Sequence, residues 1–391
     1  MISINGEKTD NTLKIALDGR IDSTNAADVE KQLDDIVNEN SFEELIIDAQ
    51  KLEYISSAGL RIILRLKKNN ASLKIINVSS DVYEIFEMTG FSEIMPIEKA
   101  YREFSVEGCE IIGQGANGKV YRIDPETIIK VYNNPDSLPD IKRERELARK
   151  AFVLGIPTAI PYDVVKVGDG YGSVFELLNA KSFAKLIEED PDNIDKYIGL
   201  YIDLLKKIHS TEVVDDEVPS MKEVAVGWAK DLVEYLPNGY GEKLVQIIEN
   251  IPDSKHMMHG DYHIKNVMMQ NGETLLIDMD TICTGEPVFE LASMFNAYVG
   301  FGSIDASNVE NFLGLSYDRT NYIWEKSLEL YCEGKSEEEM QELKAKAELI
   351  GYARIMRRTI RRGGLETEDG QELIDFCKKQ IESNIDYLTQ S

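Results

Sequence analysis

The stretch "IIGQGANGKVYRIDPETIIKVY", residues 111–132, decides how the larger part of this chain folds. Gly113, Gly115 and Gly118 stand in the spacing G-x-G-x-x-G with Val120 two positions on, and the missing side chains let backbone N–H groups approach phosphates. Dinucleotide-binding loops share these glycines. There, however, the loop runs from a strand into a helix, and an acidic residue about 20 positions later holds a ribose. Here "KVYRID" reads as a strand directly after the glycines, and "TIIKVY" is a second strand presenting Lys130. Glycine loop, hairpin, then a lysine on a strand is the order in which a lysine reaches nucleotide phosphates.

A lysine on a buried strand needs a counter-charge. The stretch "DIKRERELARKAFVLG" (140–155) reads as a helix, with Glu144 as the ion-pair partner positioning Lys130 and Glu146 on the solvated face. "HGDYHIKN" (259–266) follows with the spacing D-x-x-x-x-N: Asp261 is expected to orient or deprotonate an attacking hydroxyl, and Asn266 to hold a magnesium ion. "TLLIDMD" (274–280) reads as an apolar strand ending in Asp278. A carboxylate at a buried strand end is costly unless paired or metal-bound, so Asp278 is the expected main magnesium ligand, with Asp280 an outer one. ATP and Mg2+ are the cofactors this set implies.

Through "GQGANGKV", "IIKVY", "HGDYHIKN" and "LLIDMD" followed by "TGEPVFELASMF", residues from about 108 to 391 resemble the aminoglycoside phosphotransferase and choline kinase family, a branch of the protein-kinase-like fold. The resemblance implies an α+β bilobal domain. Its N-lobe (104–180) would be mainly antiparallel sheet plus one helix, and its C-lobe (181–391) mainly helical. It also implies transfer of the γ-phosphoryl group of ATP to a hydroxyl of a small molecule. His259 and Gly260 stand where protein kinases carry His-Arg, so no arginine is present there to clamp a phosphorylated activation loop. Glu290 replaces the aspartate frequent in the family and puts the support of the catalytic loop at issue.

Residues 1–103 follow another pattern. "TLKIALDG" alternates like a half-buried strand, "TNAADVEKQLDDIVNE" has helical spacing, and "FEELIIDAQ", "SAGLRIILRLKKNN", "SLKIINV" and "SSDVYEIFEMTG" continue the alternation of strand and helix. This α/β unit resembles the STAS domain of anti-sigma-factor antagonists through "LDGRIDSTNA", "LIIDAQKLEYISSAGLRIIL" and "SLKIINVSSDVYEIFEMTGF". The resemblance implies a regulatory or protein-docking role, with Ser57 as the regulatory phosphorylation site and Ser56 second to it. A hydroxyl at a helix start also caps orphan N–H groups, whereas a phosphate there adds about −1.5 to −2 charges. Two other functions stay open at this point: a protein kinase acting on Ser57, and a nucleotide-sensing antagonist module without catalysis.

A net charge of −27 over 391 residues argues against nucleic acid and anionic membranes as partners. Cys109, Cys283, Cys332 and Cys377 lack the spacing of a zinc site or disulfide framework, and no apolar run is long enough for a membrane span, so a cytoplasmic protein is expected. Arg354, Arg357, Arg358, Arg361 and Arg362 share one helical face before Gly363. They suit an acidic ligand or, more simply, the helix dipole and an acidic surface. The aromatic residues between Phe289 and Phe301 read as core.

Overall fold

Leu13, Ile15, Leu17 and Ile21 alternate with exposed positions along one strand and are all but fully buried, which sets the inner face of the first sheet. The computed structural model describes residues 2–115, 117–213 and 218–390. Two compact units make up the chain: residues 1–107 with 164–171, and residues 108–163 with 172–391.

In the first unit the sheet has the order β1 (Ser3–Thr9), β2 (Thr12–Ile21), β3 (Glu44–Ile55), β4 (Lys74–Val78), β5 (Ile97–Lys99). The β1–β2 hairpin is antiparallel; the pairs β2–β3, β3–β4 and β4–β5 are parallel. Parallel neighbours require crossovers, and the crossovers here contain α1 (Ala26–Glu39), α2 (Ser57–Asn69), then α3 (Ser80–Met88) with the single turn α4 (Phe91–Ile94). Leu33, Ile47, Ile63, Ile75 and Phe86 form one core between sheet and helices. Each such side chain contributes roughly 1.5–3 kcal/mol by leaving water.

The start of α2 corrects an expectation. Ser56, in extended conformation, is the cap, and its Oγ accepts from the Gly59 N–H at 3.4 Å. Ser57 is the first helical residue and is exposed. Any capping role therefore belongs to Ser56.

The second unit opens with an antiparallel meander, Glu110–Gln114, Gly118–Arg122 and Thr127–Tyr132, continued by a strand that places Ser173 opposite Lys130. The helix Leu138–Val153 buries Ile141, Glu144, Leu147, Ala148 and Ala151. Beyond residue 180 the unit is largely helical. Every residue of the helix Val288–Tyr298 is buried, as expected of a central helix. Phe289, Phe295 and Tyr298 lie in the core, as their spacing suggested, while Phe301 is half-buried. Among the described residues, no helix is long and apolar enough to cross a membrane. The four cysteines are free thiols.

Candidate active site

Lys130 sits mid-strand, where alternation turns it off the sheet toward the helix Leu138–Val153. Its Nζ donates to Glu144 Oε1 and Oε2 at 3.0 and 3.3 Å. It also donates to Asp278 Oδ1 at 2.7 Å. Glu144 is held by a second donor, the Tyr132 hydroxyl, which lies 3.3 Å from Ser173 Oγ. Burial alone would favour the neutral amine, but the charges of Glu144 and Asp278 outweigh it and hold the Lys130 ammonium well above its ordinary range. A fixed cation thus stands between two carboxylates, one 3% and the other 40% exposed.

The exposure of Asp278 is a second correction. The strand Glu273–Leu276 stops before this residue, which takes a left-handed backbone (φ 63, ψ 64) and leads into the short turn Met279–Thr281. Aspartate tolerates the left-handed region better than most residues with a Cβ, and here that conformation turns the chain out of the sheet. The carboxylate is presented outward instead of terminating a buried strand. Asp280 is half-buried beside it, and burial, then the charge of Asp278, push its carboxyl up to about 7. A cavity of about 330 Å³ adjoins this group, lined by Asn117, Tyr132, Arg143, Glu144 and Asp280 among others.

Asp261 lies in a loop that is fixed from beneath. Its side chain is 43% exposed and approaches His263 Nε2 at 3.4 Å. Burial of the group raises the pKa, but the His263 hydrogen bond and the nearby His263, His259 and Arg354 charges lower it more, so Asp261 stays below the usual carboxylate range. Asn266 Nδ2 donates to the Asp261 carbonyl at 3.0 Å, which leaves the amide oxygen as the group able to face a cation. Gly260 has φ +83, and a Cβ there would collide with the Thr281 carbonyl; the loop requires glycine at this point. Gly118 is required for a similar reason, since a Cβ would meet the Val131 carbonyl. Gly113 and Gly115 show no such backbone clash; around Gly115 the space is open. Val120 pairs with Lys130 across the hairpin.

Glu290, whose suitability the sequence left in question, lies directly under this loop. Its carboxylate accepts from the backbone N–H groups of His259 (2.6 Å), Gly260 (3.0 and 3.1 Å) and Tyr262 (3.4 Å). Burial raises its pKa, but His209, whose Nε2 is 4.0 Å away, with His259 and the Gly260 N–H, lowers it further. The longer acid therefore does support the loop.

Sequence reasoning missed a tyrosine cluster that completes this support. The Tyr262 hydroxyl donates to the Tyr201 carbonyl, the Tyr201 hydroxyl to the Tyr262 carbonyl, and Tyr298 to the Tyr201 hydroxyl, while the Ile264 N–H donates to Tyr298. No spacing rule joins positions so far apart in the chain. The arginine face also proves divided. Arg357 pairs with Asp231 at 2.5 Å, whereas Arg354 donates to Ser293 Oγ at 3.1 Å. Ser293 Oγ in turn donates to the Gly260 carbonyl at 3.2 Å.

A strand lysine bracketed by two acids thus lies in one unit with an aspartate and an asparagine on a braced loop. Residues 108–319 match the model of the phosphotransferase enzyme family, and the chain belongs to that family. Residues 3–104 match the STAS domain model.

BtrV of Bordetella bronchiseptica, a provisionally assigned anti-sigma factor antagonist, is 34% identical over 95 residues, which cover 23% of this chain and 81% of that protein. Among solved structures, a choline/ethanolamine kinase family protein from Mesorhizobium loti is 13% identical (TM-score 0.46), covering 71% of this chain and 87% of the other. ADP-bound aminoglycoside phosphotransferase APH(2'')-Ib is 16% identical (TM-score 0.47), covering 78% and 98%.

Proposed function

We propose that the second unit transfers the γ-phosphoryl group of ATP, with Mg2+, to a hydroxyl of a small molecule, and that the STAS unit regulates it or docks a protein partner. The observation that carries this reading is the Lys130 ammonium held by Glu144 and Asp278, in one unit with Asp261 and Asn266. Bound Mg–ATP supplies an electrophilic γ-phosphorus and a cation that disperses its negative charge.

The residues present fit such a ligand. Lys130, fixed by Glu144, meets phosphate oxygens. The outward carboxylate of Asp278 and the amide oxygen of Asn266 are hard oxygen donors. Two such donors suit an ion that keeps its remaining positions for water and phosphate. Gly113 and Gly118 on the two hairpin strands, with Gly115 between those strands and Val120 just beyond, would let backbone N–H groups approach the phosphates. Asp261, ionised at neutral pH, accepts the proton of the acceptor hydroxyl as that oxygen bonds to phosphorus and the bond to the leaving nucleoside diphosphate breaks.

In the STAS unit, Ser57 is the phosphorylation site of this reading. Its exposure at the first turn of α2, with Ser56 as the cap, supports the assignment. Phosphopeptide mapping of protein purified from its native host tests it: phosphate on Ser57 is expected, and phosphate confined to other residues rules it out.

Purified full chain with γ-labelled ATP, Mg2+ and a panel of sugars, amino alcohols, nucleosides and aminoglycosides tests the main reading. Acceptor-dependent label transfer is expected. No transfer to any member by protein that binds ATP would overturn it.

A further inference from the structure

Arg354 and Arg358 stand one turn apart on the helix Glu337–Arg361. Arg354 is mostly buried. Its guanidinium lies 5.4 Å over the Trp228 ring and reaches the loop of Asp261 through Ser293 and the Gly260 carbonyl. Arg358 lies 5.0 Å over the Phe301 ring. Burial lowers the pKa of both. Asp261 and Glu290 counter this for Arg354, whereas the charges of Arg362 and Arg354 add to it for Arg358. Guanidinium groups remain protonated through such shifts, so these are cations packed against aromatic faces and close enough to feel one another's charge.

Their pairing differs from that of the adjacent arginine. Arg357 has an aspartate at contact distance. Among the described residues, no carboxylate stands within ion-pair distance of Arg354, Arg358, Arg361 or Arg362. The helix dipole suits the cations of the last turn, Arg358 and Arg361, but not Arg354, which lies two turns from the helix end. Arg358 is exposed and, among the described residues, has no carboxylate at contact distance in a chain of net charge −27, so its guanidinium is open to an anion brought from outside, and Arg354 adds a second positive charge beside the Asp261 loop.

We propose that Arg354 and Arg358 form an anion subsite for the phosphate acceptor, so that the substrate is a hydroxylated compound bearing a carboxylate or phosphate group and not a neutral or cationic alcohol. This rests on the phosphotransferase reading above. The forked guanidinium of Arg358 grips the acceptor's anion, the Phe301 and Trp228 rings hold the two cations in place, and the hydroxyl end of the acceptor is directed to Asp261.

The test uses the full chain, Mg–ATP and acceptors in matched sets: a sugar, its uronic acid and its phosphate ester; ethanolamine, serine and phosphoserine; and a polycationic aminoglycoside. ADP formation is followed in wild type, Arg358→Ala and Arg358→Lys. Acceleration only by the anionic members is expected. Arg358→Ala should raise the acceptor KM by at least about tenfold with the ATP KM unchanged, and Arg358→Lys should recover part of the loss. Comparing the carboxylate and phosphate arms tells which anion is used.

In parallel, each compound is titrated by calorimetry into protein saturated with a non-hydrolysable ATP analogue. Arg358-dependent binding of anionic compounds without any transfer would retain the subsite and remove the phosphotransferase reading. Transfer to neutral or cationic members with no preference for an anion, wild-type acceptor KM in Arg358→Ala, or binding of none of the anionic compounds would overturn the subsite.

Discussion

At the scale of single residues, the site depends on charges that need each other. Lys130→Met leaves Glu144, 3% exposed, without its cation. Breaking such a pair costs about 3–5 kcal/mol, so chemical denaturation should show a large loss of stability, part of which the second change Glu144→Gln restores. Equal losses in the single and double variants would mean that the pair is not coupled.

Glu290 offers a test through pH. Its native pKa is depressed, so its stabilisation is complete above the unfolded value of about 4.3 and is lost as the pH falls through the native one. The Tm of wild type should exceed that of Glu290→Gln near neutrality, and the gap should close on acidification below about pH 4. A gap independent of pH would show that the carboxylate charge contributes nothing to holding the loop.

These residues differ in how far the sequence revealed them. Lys130, Asp261, Asn266 and Asp278 stand in short spacings that chemistry restricts. Glu144 follows from the charge that a buried lysine requires. The tyrosine cluster and the place of Glu290 under three backbone N–H groups arise from contacts between distant segments, which no local pattern encodes.

At the scale of elements, the strand–helix alternation of the first unit and the hairpin and helix around Lys130 were legible in the sequence, whereas β1, β5 and most of the individual helices beyond residue 180 were not. The helix of "SAGLRIILRLKKNN" was foreseen, yet two adjacent serines offer identical hydroxyls. Only the extended backbone of Ser56 (ψ 172) distinguishes the cap from the first helical residue. Ser56→Ala should therefore destabilise the STAS unit by about 1 kcal/mol, whereas Ser57→Ala should stay within about 0.5 kcal/mol of wild type. Thermal melts of the two variants decide this, and the reverse order would return the cap to Ser57. The strand before Asp278 was misjudged in the same manner. "TLLID" is apolar enough to continue, but the chain leaves the sheet after Leu276 and turns through a left-handed residue, a backbone event that residue type does not announce.

At the scale of the molecule, each unit carries its own apolar core: one around Ile47 and Ile63, the other around Tyr201, Met294 and Trp324. Separate cores are expected to melt separately, so scanning calorimetry of the full chain should resolve two transitions, only one of which moves in Ser56→Ala. A single transition would show that the units unfold as one.

The reading of the whole chain as a phosphotransferase with a STAS unit rests most heavily on Asp261. Acceptor-dependent ADP release, measured for wild type and Asp261→Asn with Mg–ATP affinity determined in the same samples, tests it most directly. Equal ATP binding with turnover reduced by about 10²–10⁴-fold in the variant is the expected result. Undiminished turnover in Asp261→Asn, or failure of the wild-type chain to bind Mg–ATP, would contradict it.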